Sequence, residues 1–182
     1  MNANNDATHG AGVIPDDFRK AVSRFATGIT VITCEDENGI RGMTCNSFTS
    51  ISLDPATVLV SLKPGKTHTA ISASSRFGVS ILRDEHQSYS AYFSGKPKPE
   101  EPPEFAVRGT TPTLRECLAW FECEVVQKVE IHDHTLFLGL VKKCGTIDGA
   151  PLMFFESRYH RYAPPPVNRL PERKGLEVAA AA

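Results

Sequence analysis

The sequence predicts a mainly β fold of the α+β class, a β-barrel with short helices over its openings. Three observations predict it. Runs such as ITVITC, TVLVSL and FGVSIL are short, apolar and rich in β-branched residues. Helical spacing of apolar residues is confined to short stretches. No GxGxxG follows a strand, which sets aside a parallel nucleotide-binding sheet. With 182 residues and 41% hydrophobic content, the chain can bury one sizeable core.

Residues 1–14 read as a flexible polar lead. They hold no basic region followed by an apolar stretch, so no secretory signal is expected. One domain is expected over 15–162. In it, 16–27 places Phe18, Val22 and Phe25 at helical spacing, with Asp16 as cap and Gly28 as stop. Residues 29–34 form a strand, and DENG (36–39) forms a hairpin turn, because Asn-Gly accepts positive φ. Residues 40–52 follow as one long strand bending at Gly42. Asp54-Pro55 turns the chain into a buried strand, 57–62.

A short helix is expected at 68–75, a strand at 77–82, and a helix at 84–94 with Tyr89, Tyr92 and Phe93 inward. The prolines of GKPKPEEPPEF (95–105) remove donors and fix φ, so that segment is an exposed loop. Residues 118–131 and 135–147 alternate like antiparallel strands around His132-Asp133-His134. Residues 151–155 and 158–162 close the sheet. The tail, 163–182, has little to bury. No internal repeat is present.

Net charge is −1, which gives no overall positive field for nucleic acid or acidic lipid. No apolar run approaches the roughly 18 residues of a membrane span. Five cysteines, an odd number without CxxC pairs, point to reduced thiols and a cytoplasmic protein.

Gly65-Lys66-Thr67 is the tail of a P-loop, but the pattern asks for a further glycine where Val60 stands. A triphosphate loop is therefore not supported. A helix start at Thr67 with Lys66 beside it still suits an anion. The alternative is that Thr67 only caps the helix and Lys66 is solvated. Thr44-Cys45-Asn46-Ser47-Phe48 puts polar groups on both faces of a strand. It could hold the polar edge of a ring with Phe48 as apolar contact, or be a solvated edge strand. His132 and His134 could form half a metal site, but no further ligand has the spacing. A tight turn with one histidine at a pocket mouth is expected, and no metal. Tyr159-His160 is either a polar ring pair in a site or a packed pair. No Ser/His/Asp triad can be picked out.

Together these segments resemble the flavin reductase family, the short-chain NAD(P)H:flavin oxidoreductases that feed two-component monooxygenases. The resemblance spans about 16–162. It is carried by FRKAVSRFATGITVITC, GMTCNSFTSISLDPATVLVSLKPGKTHTAI, FGVSIL, LAWFECEV, DHTLFLGLV and PLMFFESRYHRY. It implies a split β-barrel, a homodimer, and flavin bound near the subunit interface. Ser61, Leu62, Lys66, Thr67, His68 and Thr69 would hold the flavin phosphate and ribityl chain. Thr44, Cys45, Asn46, Ser47 and Phe48 would line the isoalloxazine. His134 would lie near the nicotinamide as the catalytic residue, and Tyr159 and His160 match the closing motif.

The implied activity is NADH-dependent flavin reduction, with FAD preferred to FMN and NADH to NADPH. The implied partner is an oxygenase that hydroxylates an aromatic compound. A non-catalytic flavin- or haem-binding split barrel and a self-contained flavin oxidase are the rivals. Two positions depart from the family, Ser80 where asparagine is common and Arg115-Glu116 where a glycine is usual.

Overall fold

A computed structural model describes residues 13–163. The expected lead and tail lie outside them except for residues 13, 14 and 163. Helix α1 (Pro15–Val22) opens with proline in its first turn, where a missing N–H loses no partner. Asp16 does not cap it but sits in that turn, at the positive end of the dipole. The helix stops at Val22, and Gly28 belongs to strand β1 (Thr27–Gly28). No residue of α1 is buried: Phe18 is 61% exposed and the following Phe25 75%. Periodicity marks an apolar stripe without saying what covers it.

Strands β2 (Thr30–Asp36) and β3 (Gly39–Cys45) make the expected hairpin, with Gly39 at φ 102° closing the turn. The long strand expected over 40–52 instead breaks at residues 46–48, between β3 and β4 (Thr49–Leu53). Gly42 marks a close approach rather than a bend, since a Cβ there would stand 2.6 Å from the ring of Phe93. Strand β5 (Ala56–Leu62) buries Val58, Val60 and Leu62 alternately. Helix α2 (Lys66–Ser74) starts at Lys66, so Thr67 is a buried first-turn residue and not the cap.

Strand β6 (Arg76–Ile81) follows as expected, and residues 84–94 divide into a 3-10 turn at Asp84–His86 and helix α3 (Gln87–Phe93). Strands β7 (Phe105–Val107) and β8 (Pro112–Leu114) form a hairpin that the sequence pattern did not reveal. The long pair β9 (Ala119–Ile131) and β10 (His134–Thr146) matches expectation, as do β11 (Leu152–Phe155) and β12 (Arg158–Arg161) in position.

The main sheet is seven-stranded and antiparallel, in the order β3-β2-β6-β9-β10-β5-β4. It curls until its margins meet. Beyond the end of β3, Ser47 Oγ donates to the carbonyl of Ser61 on β5 at 2.9 Å and accepts the Ser61 N–H at 3.0 Å. Ile32, Val60, Leu62, Ile71, Phe77 and Phe137 fill the interior. Strands β11 and β12 do not close this sheet. They pair with β1 in a separate three-stranded sheet, a long-range choice that no local pattern encodes.

The β7–β8 hairpin clasps the barrel from outside. Strand β8 is wholly buried. Thr33 Oγ1 donates to the Pro112 carbonyl, and Leu114 N–H donates to Ser80 Oγ at 2.9 Å. The Ser80 departure therefore concerns the clasp, because its hydroxyl is fully buried there. Arg115 and Glu116 make surface ion pairs with Glu104 and Arg83.

Candidate functional site

The break between β3 and β4 frees the backbone at Asn46, Ser47 and Phe48 to turn toward the segment after α1. Between them lies a cleft of about 600 Å³ lined by Val22, Phe25, Thr27, Asn46, Ser47 and Phe48. Two aromatic rings, Phe25 and Phe48, share the lining with polar side chains such as Thr27, Asn46 and Ser47, a mixture that suits a small-molecule site. Thr27 Oγ1 is buried there without a hydrogen-bond partner. A buried hydroxyl left unpaired is costly, so a ligand atom that completes its bonding is favoured. Sequence reasoning missed Thr27; its place two residues after Phe25 gave no signal of a site.

A smaller hollow of about 180 Å³ adjoins through Asn46 and is lined by Thr44, Cys45, Ser90 and Tyr159. Ser90 ties distant segments together: Thr44 Oγ1 donates to its carbonyl at 2.6 Å, and its hydroxyl lies 3.0 Å from Tyr159 Oη. His160 is not brought to this place. Its Nε2 lies 3.2 Å from the Phe155 carbonyl on the exposed side.

His134 opens β10, two residues before Leu136, which pairs with Ser61. That separation is roughly 7 Å along the strand. Its Nδ1 lies 2.8 Å from Asp133 Oδ1, and Lys63 Nζ lies 3.1 Å from Asp133 Oδ2. The hydrogen bond from His134, aided by Lys63, pulls the Asp133 carboxyl down to about 2. The carboxylate is thus ionised at neutral pH and accepts a hydrogen bond from the protonated Nδ1. His132, at φ 51°, makes the tight turn.

The loop residues separate. Leu62 belongs to the core, and Thr67 is buried. His68 gives its Nε2 to Thr135 Oγ1 at 2.9 Å and lies edge-on to Phe137. Lys66 and Thr69 face a different cleft, of about 740 Å³, between the β2–β3 hairpin and α2. Among the described residues no three His, Cys, Asp or Glu side chains converge as a metal site requires. The buried Cys123 thiol is pushed up to about 12 by its burial, so it is not a thiolate nucleophile.

The fold is thus a curled antiparallel barrel with a cleft between the segment after α1 and the break at residues 46–48. Residues 22–163 match the model of the flavin reductase like domain, and the chain belongs to that family of oxidoreductases. It is 52% identical over 148 residues to the NADH-dependent flavin reductase StyB of Pseudomonas fluorescens, a match covering 79% of this chain and 87% of the relative. The structure of the styrene monooxygenase flavin reductase (SMOB) from Pseudomonas putida S12 superposes with a TM-score of 0.77 at 51% identity, over 82% of this chain and 99% of that one. The flavin reductase PheA2 in its native state gives 0.79 at 38% identity, over 83% and 99%.

Proposed function

We propose that the protein is an NADH-dependent flavin reductase that supplies reduced flavin, FAD before FMN, to a partner monooxygenase acting on an aromatic compound. The aromatic cleft with the unpartnered Thr27 hydroxyl carries the reading. A bound flavin would supply the chemistry, accepting at N5 the hydride that leaves C4 of the nicotinamide. The chain need only hold two rings at reacting distance and keep water out. Phe48 and Phe25 give the ring apolar contact, and Thr27, Asn46 and Ser47 offer hydrogen bonds to its polar edge. His134, held by Asp133, borders the nicotinamide. The 52% identity to an NADH-dependent reductase supports NADH over NADPH. NADH consumption and unpaired thiols suit the cytoplasm.

Mixing protein, flavin and NADH and following the absorbance of reduced nicotinamide tests this directly. Flavin-dependent loss of that absorbance is expected. Bound flavin without NADH oxidation would leave only a binding protein.

Lys66 is assigned to flavin phosphate. A charge-assisted hydrogen bond contributes roughly 1.5–3 kcal/mol. Lys66→Ala is therefore expected to weaken flavin nucleotide binding about tenfold, with riboflavin unaffected. Unchanged nucleotide affinity at low salt would remove Lys66 from the site.

A second copy of the chain is assigned to the apolar surface beside the cleft. Phe18, Val22 and Phe25 are exposed, and Val22 and Phe25 also line the ring cleft. Leu53, on the edge strand β4, is 92% exposed. Large apolar side chains exposed in this way mark an interface. A homodimer covering it would roof the flavin. Phe18→Glu is expected to convert a dimer in sedimentation to a monomer; a monomeric wild type would overturn the assignment.

A further inference from the structure

The outer face of the barrel beneath the β7–β8 clasp carries a group that the proposed reaction leaves unused. Glu122, on β9, is only 3% exposed. Its Oε2 accepts the Thr110 N–H at 3.1 Å, but Oε1 is buried and has no hydrogen-bond partner among the described residues. A buried carboxylate oxygen without a donor is costly, more so than a buried hydroxyl. The turn above is shaped around it: a Cβ at Gly109 would clash with Oε2 and stand 3.1 Å from Oε1. The carboxyl group borders a hollow of about 220 Å³, lined also by Arg76, Glu124, Lys142 and Lys143. None of these residues lines the ring cleft.

Strand register sets the charges in order. Glu122 stands opposite Gly78 on one side and Lys143 on the other, and Arg76 stands opposite Glu124. Residues two apart on a strand share a face, so Arg76, Glu122, Glu124 and Lys143 all project to this outer side. Lys142 pairs with Glu124 at 3.6 Å, and Lys143 gives its ammonium to the Arg108 carbonyl at 3.2 Å. Both lysines are thus engaged elsewhere than at Glu122. Arg76 makes hydrogen bonds through its backbone alone among the described residues. A buried acceptor and an exposed cation remain, two residues of strand apart, roughly 7 Å. Two hydrogen bonds of about 2.9 Å each and a short carbon linker bridge that gap. A cation alone satisfies Glu122 but meets Arg76 and the lysines as like charges, and an anion alone leaves Glu122 unpaired. We propose that the hollow binds a small aminocarboxylate, its ammonium on Glu122 Oε1 and its carboxylate on the Arg76 guanidinium. At roughly 30 Å³ for each water-sized group, the hollow admits about seven heavy atoms, the size of alanine or 4-aminobutyrate. Bound there, the ligand ties the turn at Gly109 and Thr110 to β9 and tightens the clasp without touching the ring cleft.

Isothermal titration of the full chain with L-alanine, β-alanine and 4-aminobutyrate tests this, with acetate and methylammonium as the two halves. At least one aminocarboxylate is expected to bind saturably, one per chain, and each half at least tenfold more weakly. Glu122→Gln keeps an oxygen for the Thr110 N–H but removes the charge, and should weaken binding about tenfold or more. Arg76→Met, at the exposed start of β6, should do the same. It leaves Glu122 as it is, so it answers even if Glu122→Gln fails to fold. The thermal midpoint of wild type should rise by about 4 °C at ten times the dissociation constant, and that of Arg76→Met should not. NADH oxidation is expected to be the same in wild type and Arg76→Met, with or without the aminocarboxylate. Absence of saturable binding by all three compounds, or undiminished binding in Arg76→Met, would overturn the inference. So would a midpoint that rises linearly with concentration in wild type and variant alike, the general effect of an excluded solute. Glu122 would then serve only to anchor the turn.

Discussion

His134→Ala is expected to slow flavin reduction by NADH about ten- to a hundredfold, with flavin affinity within twofold of wild type. Misplacing a reacting group by about 1 Å can cost a hundredfold, and His134 is the side chain proposed above to border the nicotinamide. Its ring is not free to wander: Nδ1 bonds to Asp133, and Asp133 is braced by Lys63. Because the Asp133 carboxyl sits depressed at about 2, its part in the clamp is present at neutral pH and is lost only as pH falls toward that value. All three side chains are substantially solvent-exposed, so the clamp orients the ring and contributes little to stability. Rapid mixing of the flavin-loaded variant with NADH checks the prediction. A normal reduction rate would remove His134 from the chemistry, and loss of the thermal transition would assign it to the turn instead.

Gly78→Val is expected to destabilise the fold by about 3 kcal/mol or more, by overpacking and by loss of buried hydrogen bonds. A Cβ at Gly78 would clash with the Pro112 carbonyl oxygen and stand 2.6 Å from Thr33 Oγ1. Pro112 is backbone of the buried strand β8 and cannot give way as a flexible side chain would. The valine must lift the clasp, opening both the Thr33–Pro112 and the Ser80–Leu114 bonds. For a chain of this size the thermal midpoint should fall by about 10 °C. Gly65→Ala is the control, since a Cβ there meets nothing within 4 Å and its backbone is extended. Equal midpoints for the two variants would show that β8 does not press on β6.

The strands at 57–62, 77–82, 118–131 and 135–147 were legible because burial selects β-branched and apolar runs directly. The turn at 36–39 was legible from its Asn-Gly pair. Three kinds of feature were not. The β7–β8 hairpin hides in segments of three residues each, and Pro112 argues against a strand unless it stands first in one, as it does. The stripe of Phe18, Val22 and Phe25 is periodic, but periodicity does not distinguish core from a surface awaiting cover. Long-range placement is the third. Sequence put Lys66 and Asn46 into one flavin-binding set but gave no sign that they open onto separate clefts. The meeting of Thr44 and Tyr159 through Ser90 is likewise a property of the closed fold.

Strand β1 finds its partner only at the far end of the domain, Thr27 opposite Phe154 and Gly28 opposite Met153. Glu156 N–H adds a bond to the Ser23 carbonyl at 2.9 Å, and its carboxylate pairs with Arg24. A ribosome must add 154 − 27 = 127 residues between the two members of that first pair, which takes roughly 6–25 s at cellular synthesis rates. Throughout that interval Phe25 and the unpaired edge of β1 emerge with nothing to hold them. The wall of the ring cleft is thus among the last parts of the nascent chain to be secured, and a chaperone that shields apolar segments during synthesis has its clearest target there.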